Sequence, residues 1–529
     1  MTKQPRTGRS AVLVATGIFG SRVVGLIRSR VMAQYFGLGA VADAVTAAFR
    51  IPNLLQNLFG DQALSASFIP VYASLLANDD PKEADRVAGA VFSLLALVVA
   101  VLVLVGVLAA PSLIPVIAPG FTGGPRRELT IVLVRILFPG VGLLVLSAWC
   151  LGVLNSHHRF LLSYSAPIVW NVAMIATLLF YGPRLAEGSD LPRLAELLAY
   201  GAVAGSALQL AVQLPTVFRV APNLRFAIDT ASEHVRAVAR AFVPVFISRG
   251  IVQLSAYVDQ IISTWLPIGS VAAIQSAQLL STLPVSLFGM AVSAAELPAM
   301  SRLTAGTDAE RFAALRARLD NGLRQIAFFV VPSAVAFLAL GDIVAAALFQ
   351  TGRFSHSDSL YVWQILAGSA VGLLASTLGR LYSSTFYALR DTRTPLNYAL
   401  IRVGTTTVLG YLFALPLPRM LGVNPGWGAA GLTASAGIAG WIEMLMLRRT
   451  MNARIGKTGL PPSLTAKLWT SAAAGAAAAW GIKLTLPPMH PILSAAAILG
   501  AYGIVYFAGT FLMRVPEASS AFGRLRRSA

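Results

Sequence analysis

Fourteen apolar stretches of about 20 residues or more follow one another along this chain, the length a helix needs to cross ~30 Å of hydrocarbon. They fall near residues 10–36, 41–76, 87–118, 130–155, 160–181, 196–218, 238–266, 270–300, 326–349, 359–388, 395–415, 427–447, 466–485 and 491–513. Inside a bilayer a backbone finds hydrogen-bond partners only within a helix or a closed barrel, and runs this long predict helices. Composition agrees: 56% of residues are hydrophobic and 12% charged, whereas a soluble domain carries about 25% charged residues. The expectation is an all-α polytopic membrane protein with 14 transmembrane helices.

The first half of the sequence returns in the second. Ser21-Arg22 recurs as Ser248-Arg249, Leu58-Phe59-Gly60 as Leu287-Phe288-Gly289, and Pro70 as Pro298, at offsets of 227, 229 and 228. Val141-Gly142-Leu143-Leu144 recurs as Val371-Gly372-Leu373-Leu374 at 230, and Pro167 as Pro395 at 228. Five matches near one offset predict two pseudo-symmetric six-helix lobes, 1–225 and 226–455, followed by 456–529 with two unmatched helices and a tail. Two tandem membrane lobes with a cleft between them form a transporter layout.

The net charge of +19 would suit a nucleic-acid partner, but its distribution argues for topology instead. With the N-terminus in the cytoplasm, 25 basic residues fall on the inner side, among them Lys3, Arg6, Arg86, Arg159, Arg225, Arg311 and Arg448. Only 6 fall outside: Arg126, Arg127, Arg184, Arg193, Arg353 and Arg419. The positive-inside rule then predicts cytoplasmic termini, and no nucleic-acid partner is expected. The basic start followed by Ala11 to Phe19 resembles a secretion signal, but without a clean cleavage site it reads as an uncleaved first helix.

Chemistry is sparsely represented. The lone Cys150 excludes an intramolecular disulfide. Gly456-Lys457-Thr458 lacks the first glycine of a phosphate-binding loop, since residue 451 is Met, and no ATPase motor is expected. The five histidines, His157, His158, His234, His356 and His490, sit in loops or at helix ends and read as solvated. The acidic group Asp79, Asp80, Glu83 and Asp85 reads as a solvated turn, and Gly201 with Gly205 as a close helix contact. No cofactor and no enzymatic chemistry are expected.

Ten basic residues remain inside the apolar runs: Arg22, Arg28, Arg30, Arg50, Arg135, Arg240, Arg249, Arg380, Arg402 and Lys483. Arg240, Arg380 and Lys483 lie close enough to helix ends to snorkel. Arg22 lies about 18 Å into the first helix at 1.5 Å per residue. An arginine at that depth costs at least ~2.5 kcal/mol and is tolerated beside a wet cavity or a partner charge. The alternatives for Arg22 are therefore a functional cavity or a buried pair with Asp43 or Asp259. Arg28 follows about 120° around the helix, where Gly17, Gly20 and Gly25 would let it bend. Arg50 precedes Ile51-Pro52-Asn53, where the proline is expected to break the second helix beside a cavity. A cavity lined by Arg22, Arg28, Arg50 and Arg249 calls for an anion.

Ser21-Arg22-Val23-Val24-Gly25-Leu26-Ile27-Arg28, then Asp43, Arg50-Ile51-Pro52-Asn53-Leu54-Leu55 and Phe68-Ile69-Pro70 resemble the N-terminal signature of the lipid II flippases, the MurJ or MviN family. Asn155 with Arg159-Phe160, Ala166-Pro167 with Asn171, Leu348 to Phe354, and Phe386-Tyr387-Ala388 with Asp391 to Pro395 follow in the family's order, so the resemblance covers about residues 10–513. It implies the multidrug/oligosaccharidyl-lipid/polysaccharide exporter fold, two lobes in a V around a cationic cavity, and two extra helices that form a groove for a lipid tail. It also implies substrate-binding roles for Arg22, Arg28, Asp43, Arg50, Asn53 and Asp61. Two cavity arginines of the family are replaced here, one by Gln56 beside Asn57 and one by Leu279 after Gln278. Arg249, the repeat partner of Arg22, is the expected second-lobe cation. Of a sodium site found in some members, Asp259 is in place, while Thr406 and Gly410 stand where Asn and Asp would be.

The implied function is alternating-access transfer of undecaprenyl-diphosphate-linked peptidoglycan precursor, lipid II, to the outer leaflet of the bacterial inner membrane. The driving force would be the membrane potential or a gradient of Na+ or H+, and cell-wall synthesis proteins would be partners. The open alternatives are export of another polyprenyl-linked oligosaccharide and a non-transporting scaffold for cell-wall synthesis.

Overall fold

The structure is a computed structural model that describes residues 7–187, 190–229, 231–302 and 307–519; the side chains at 7–13, 15, 51–52, 61–62 and 247–256 lie outside the described residues. So do Lys3, Arg6, Arg524, Arg526 and Arg527 of the topology count. The described chain is helical throughout its length. In order it forms α1 (Thr7–Phe36), α2 (Ala40–Phe59), α3 (Asp61–Ala77), α4 (Pro81–Ile117), α5 (Gly124–Ser156), α6 (Phe160–Glu187), α7 (Leu191–Val220), α8 (Glu233–Ser263) and α9 (Ser270–Pro284). A π-helical turn (Val285–Met290) leads into α10 (Ala291–Ser301), α11 (Asp308–Phe349), α12 (His356–Ala388), α13 (Arg393–Ala414), the short α14 (Pro416–Met420), α15 (Trp427–Ile455), α16 (Pro462–Thr485) and α17 (Pro491–Leu512). Among the described residues, 10 helical segments are long and apolar enough to cross a membrane.

Two of the expected spans depart from regular α-helix at the repeated Leu-Phe-Gly. In the first copy Gly60 leaves helical geometry at φ −86° and ψ −142°, ending α2 and starting α3. In the second copy Gly289 lies inside the π-helical turn that follows Pro284. Proline has no N–H for the Leu280 carbonyl, and the next turn widens; such π turns recur at functional positions. A third expectation is corrected at Pro52: α2 does not break there but continues to Phe59.

The chain divides into two compact units, Met1–Ile261 with Thr351–Arg353, and Ile262–Gln350 with Phe354–Ala529. In the first, α5 is the central helix: α2, α3, α4 and α7 pack on it, and α6 bridges α1 and α7. Trp149 of α5 is fully buried, and its indole N–H donates to the Ala88 carbonyl at 3.0 Å. In the second, α12 is central, with α9, α10, α11 and α15 upon it, while α13 packs on α15. One repeated segment occupies the central helix of each unit, since α5 carries Val141–Leu144 and α12 carries Val371–Leu374. The unmatched α16 and α17 pack on each other and on α11.

Small residues permit the closest approaches, as expected where hydrophobic driving force between helices is weak. A Cβ on Gly372 of α12 would stand 2.2 Å from the Gly437 Cα of α15, and one on Gly201 of α7 2.2 Å from the Thr177 hydroxyl of α6. Gly201 and Gly205 are helix contacts as predicted.

The loops of the first unit gather at its two ends. At one, the Arg353 N–H donates to the Gln34 carbonyl at 2.8 Å and its guanidinium to Ala186 at 3.0 Å. At the other, Asp80 caps α4 by accepting from the Glu83 N–H at 3.1 Å, and Arg86 pairs with Asp229 at 2.8 Å. The acidic turn is not simply solvated: Asp85 is buried and accepts from the Asn223 N–H at 2.9 Å, tying α4 to the segment after α7. Nor is His157 a free loop histidine, since its Nε2 meets the Tyr72 hydroxyl at 2.9 Å, and burial holds its pKa below the ordinary histidine value. Lys483, expected to snorkel, instead pairs at 2.6 Å with the buried Asp342 of α11.

Candidate anion-binding site

α1 lies along α6, and its glycines mark where the two backbones meet. A Cβ on Gly17 would stand 2.8 Å from Tyr164, one on Gly20 3.3 Å from Ile168, and one on Gly25 3.8 Å from the Asn171 amide oxygen. These glycines serve close packing within a continuous helix from Thr7 to Phe36. The packing fixes the rotation of α1, and with it the directions of its two central arginines.

Arg22 stands at the middle of α1, about 21 Å of helix from either end at 1.5 Å per residue. It is exposed on the protein surface and makes no hydrogen bond or ion pair among the described residues. The pair with Asp43 that would have explained it does not form. Asp43 is fully buried in the first turn of α2 and accepts from Arg126 of α5 at 3.4 Å. Arg126 is committed further, with its guanidinium 4.0 Å from the Phe121 ring centre and a bond to the Gly120 carbonyl. Asp43 and Arg126 therefore lock α2 to α5 at one end of the unit, and the carboxylate is neutralised inside the protein.

Arg28 is half-buried against α6. Its guanidinium carbon lies 5.1 Å from the ring centre of Trp170, and its Nε is buried without a hydrogen-bond partner among the described residues. Trp170 is held by its indole N–H, which donates to the Ala202 carbonyl at 3.0 Å, and by an edge contact with Phe49 at 6.4 Å. Beside it, Asn171 donates to the Pro167 carbonyl at 2.9 Å, while its amide oxygen is buried without a partner among the described residues. Asn53 of α2 and Trp170 line one narrow cleft with Phe49, Leu144 and Val203. Neither Arg28 nor Asn53 was linked to Trp170 by the sequence, because the partners are more than a hundred residues apart.

Arg50 is buried, and its Nε has no hydrogen-bond partner among the described residues. Its guanidinium donates to the Gln260 carbonyl of α8 at 3.0 Å, and its own carbonyl accepts from the Tyr257 hydroxyl. Asp259 lies between these two partners, half-buried on α8. The side chains of Asp61, first residue of α3, and of Arg249, within α8, lie outside the described residues. Among the described residues no group of three or more His, Cys, Asp or Glu is placed to hold a metal ion. Gln278 and Leu279 are half-buried on α9, and Gly410 packs against Leu432 and Ser435.

Among the described residues Arg22 and Arg28 on α1 thus have no carboxylate partners. A guanidinium offers five N–H donors in a fork that matches phosphate oxygens. A basic cleft in the second unit, between Arg311 and Arg390, differs in that Arg311 is paired with Asp308 at 3.1 Å.

Residues 32–499 match the family described as lipid II flippase MurJ. The chain belongs to the MurJ family. A probable lipid II flippase MurJ of Rhizobium tropici is 30% identical over 445 residues, covering 84% of this chain and 80% of that protein. The lipid II flippase MurJ of Burkholderia cenocepacia is 32% identical over 432 residues, 81% of this chain and 80% of its own length. Among solved structures, a MurJ lipid II flippase in an inward closed conformation aligns with a TM-score of 0.75 and 22% identity, over 95% of this chain and 99% of that one. An inward-facing multidrug resistance transporter of the MATE family in the MOP superfamily aligns at 0.65 and 16%, over 84% and 98%. The MurJ fold accounts for the helix pairing around α5 and α12, and membership of MurJ places the chain in a family of transporters.

Proposed function

We propose that this chain is a lipid II flippase of the bacterial inner membrane, carrying an undecaprenyl-diphosphate-linked glycan from the cytoplasmic to the outer leaflet by alternating access. The observation that carries the reading is family membership across residues 32–499 together with uncompensated arginines at the middle of α1. In this reading α2 with α3, and α9 with the π turn and α10, each make one span. That gives fourteen spans, in two six-helix lobes plus α16 and α17. Both termini are cytoplasmic, which follows from the 25 to 6 split of basic residues. Arg22 and Arg28 bind the diphosphate, with Asn53, Asp61 and Arg249 as further polar lining; Asp43 and Arg50 brace the helices that hold them.

A diphosphate moving outward across a membrane negative inside gains about 2.3 kcal/mol per charge per 100 mV, enough to drive export without ATP. A coupling cation, Na+ or H+, would find a carboxylate at Asp259. The test is replacement of an essential lipid II flippase by this chain in living cells. Survival with normal cell shape is the expected result. Death with the chain abundant and inserted would instead favour the export of another polyprenyl-linked oligosaccharide, to which the neutral Gln56 and Leu279 would belong. Orientation is tested with cysteines between Ser112 and Gly124 in a chain lacking Cys150; protection from an impermeant thiol reagent in intact cells would overturn it.

A further inference from the structure

Trp170 has no place in the reading above, yet among the described residues it is the side chain that holds Arg28. We propose that Trp170 is a positioning residue for substrate: its indole face supports the Arg28 guanidinium from one side, so that the N–H edges stay free for the diphosphate oxygens. This rests on Arg28 being a substrate ligand.

A guanidinium inside a membrane protein is ordinarily steadied by a carboxylate. Arg402 with Glu443 at 3.1 Å and Arg324 with Glu517 at 2.7 Å are examples in the second unit. A carboxylate fixes the cation but consumes its donors and its charge, and both are then lost to an anionic ligand. A π face does neither. A cation within about 6 Å of an indole centre is attracted by the ring quadrupole, and here the separation is 5.1 Å. The ring takes one face of the planar group and none of its N–H bonds. Three observations show that the platform is built. The indole is clamped by its bond to Ala202 at 3.0 Å, Phe49 closes on its edge, and a Cβ on Gly205 would lie only 3.2 Å from the Trp170 Cα, which seats α6 tightly on α7. Arg28 meanwhile makes no hydrogen bond or ion pair among the described residues. The arrangement keeps a cation in place while leaving it chemically unspent.

The test compares Trp170→Phe with Trp170→Leu in the full-length chain reconstituted in vesicles, with lipid II as the transported probe. Both substitutions remove the bond to Ala202, and only leucine removes the π face. With phenylalanine the half-saturating lipid II concentration should stay within about twofold of the parent, and with leucine it should rise about three- to tenfold at unchanged saturating turnover. In an Arg28→Ala background the leucine substitution should add nothing, because the interaction it removes is already gone. Equal behaviour of the two variants, or full additivity with Arg28→Ala, would overturn the positioning role and make Trp170 a packing residue. If Arg28→Ala itself transported normally, the underlying assignment of Arg28 would fail instead; loss in Arg28→Ala with none in Trp170→Leu would sink the Trp170 proposal alone.

Discussion

The intramembrane cations of the two units are managed in opposite ways. In the second unit Lys483 meets Asp342 at 2.6 Å and Arg402 meets Glu443 at 3.1 Å, and the exposed Arg380 shares the field of Glu443. In α1 of the first unit Arg22 and Arg28 meet no carboxylate among the described residues, although the unit does contain a buried acid in the first turn of α2. That acid, Asp43, is already matched to Arg126. A paired charge holds helices together, because leaving one member alone in a low-dielectric interior is expensive. A cation without a carboxylate partner keeps its charge available to an arriving anion. The difference is the ground for proposing that the paired charges are structural and that Arg22 and Arg28 bind ligand.

The sharpest way to break this comparison is to remove one cation of each kind. Arg22→Ala or Arg28→Ala should lower flipping about 10- to 100-fold each, the range for a lost charged hydrogen bond, with normal abundance and thermal stability. The double substitution Arg402→Leu with Glu443→Leu should change flipping by less than about threefold, since Arg402 is exposed and an exposed ion pair contributes little. If the double variant lost transport as severely as Arg28→Ala, the distinction between the units would be wrong.

A smaller effect on a different observable sharpens it. Lys483→Met strands the buried Asp342 carboxylate and should destabilise the second unit by about 3 kcal/mol, seen as a lower unfolding temperature in detergent. Adding Asp342→Leu should restore most of the loss, with flipping per folded molecule unchanged throughout. Failure of the second substitution to rescue the first would mean that Lys483 acts through something other than this pair.

The smallest effect is one of pH, at the rim of the second unit. The backbone N–H of Thr394 holds the Asp391 carboxyl down at about 2 from its usual 3.8, helped by the Thr394 hydroxyl and by Arg454 at 2.6 Å. The depressed pKa makes its contribution to stability complete above about pH 4 and lost as pH falls through about 2. Because Asp391 is near solvent, the contribution is modest. Asp391→Asn should flatten that acid limb of the unfolding curve and leave stability near pH 7 within about 0.5 kcal/mol; an unchanged acid limb would remove Asp391 from the account.

The class of the protein, its helices and its internal repeat were legible in the sequence, because each is written in local hydrophobic length or in direct self-similarity. Arg22 and Arg28 were legible as well, since a charge at helix depth is anomalous wherever it sits. What those charges do was not. Asp43 was one of two alternative partners for Arg22, with Asp259, and only packing showed Asp43 matched to Arg126, 83 residues away. Arg50 was placed at a helix break, but α2 continues past Pro52, and one arm of the guanidinium reaches a carbonyl 210 residues further on. The break came at Gly60 instead, and after Pro284 the helix widens into a π turn without ending. Trp170 carried no signal at all, because its role exists only once α1 lies along α6. A sequence specifies which residues are costly to bury; which neighbour relieves that cost, or leaves it open for a ligand, depends on contacts between distant segments that only the tertiary structure decides.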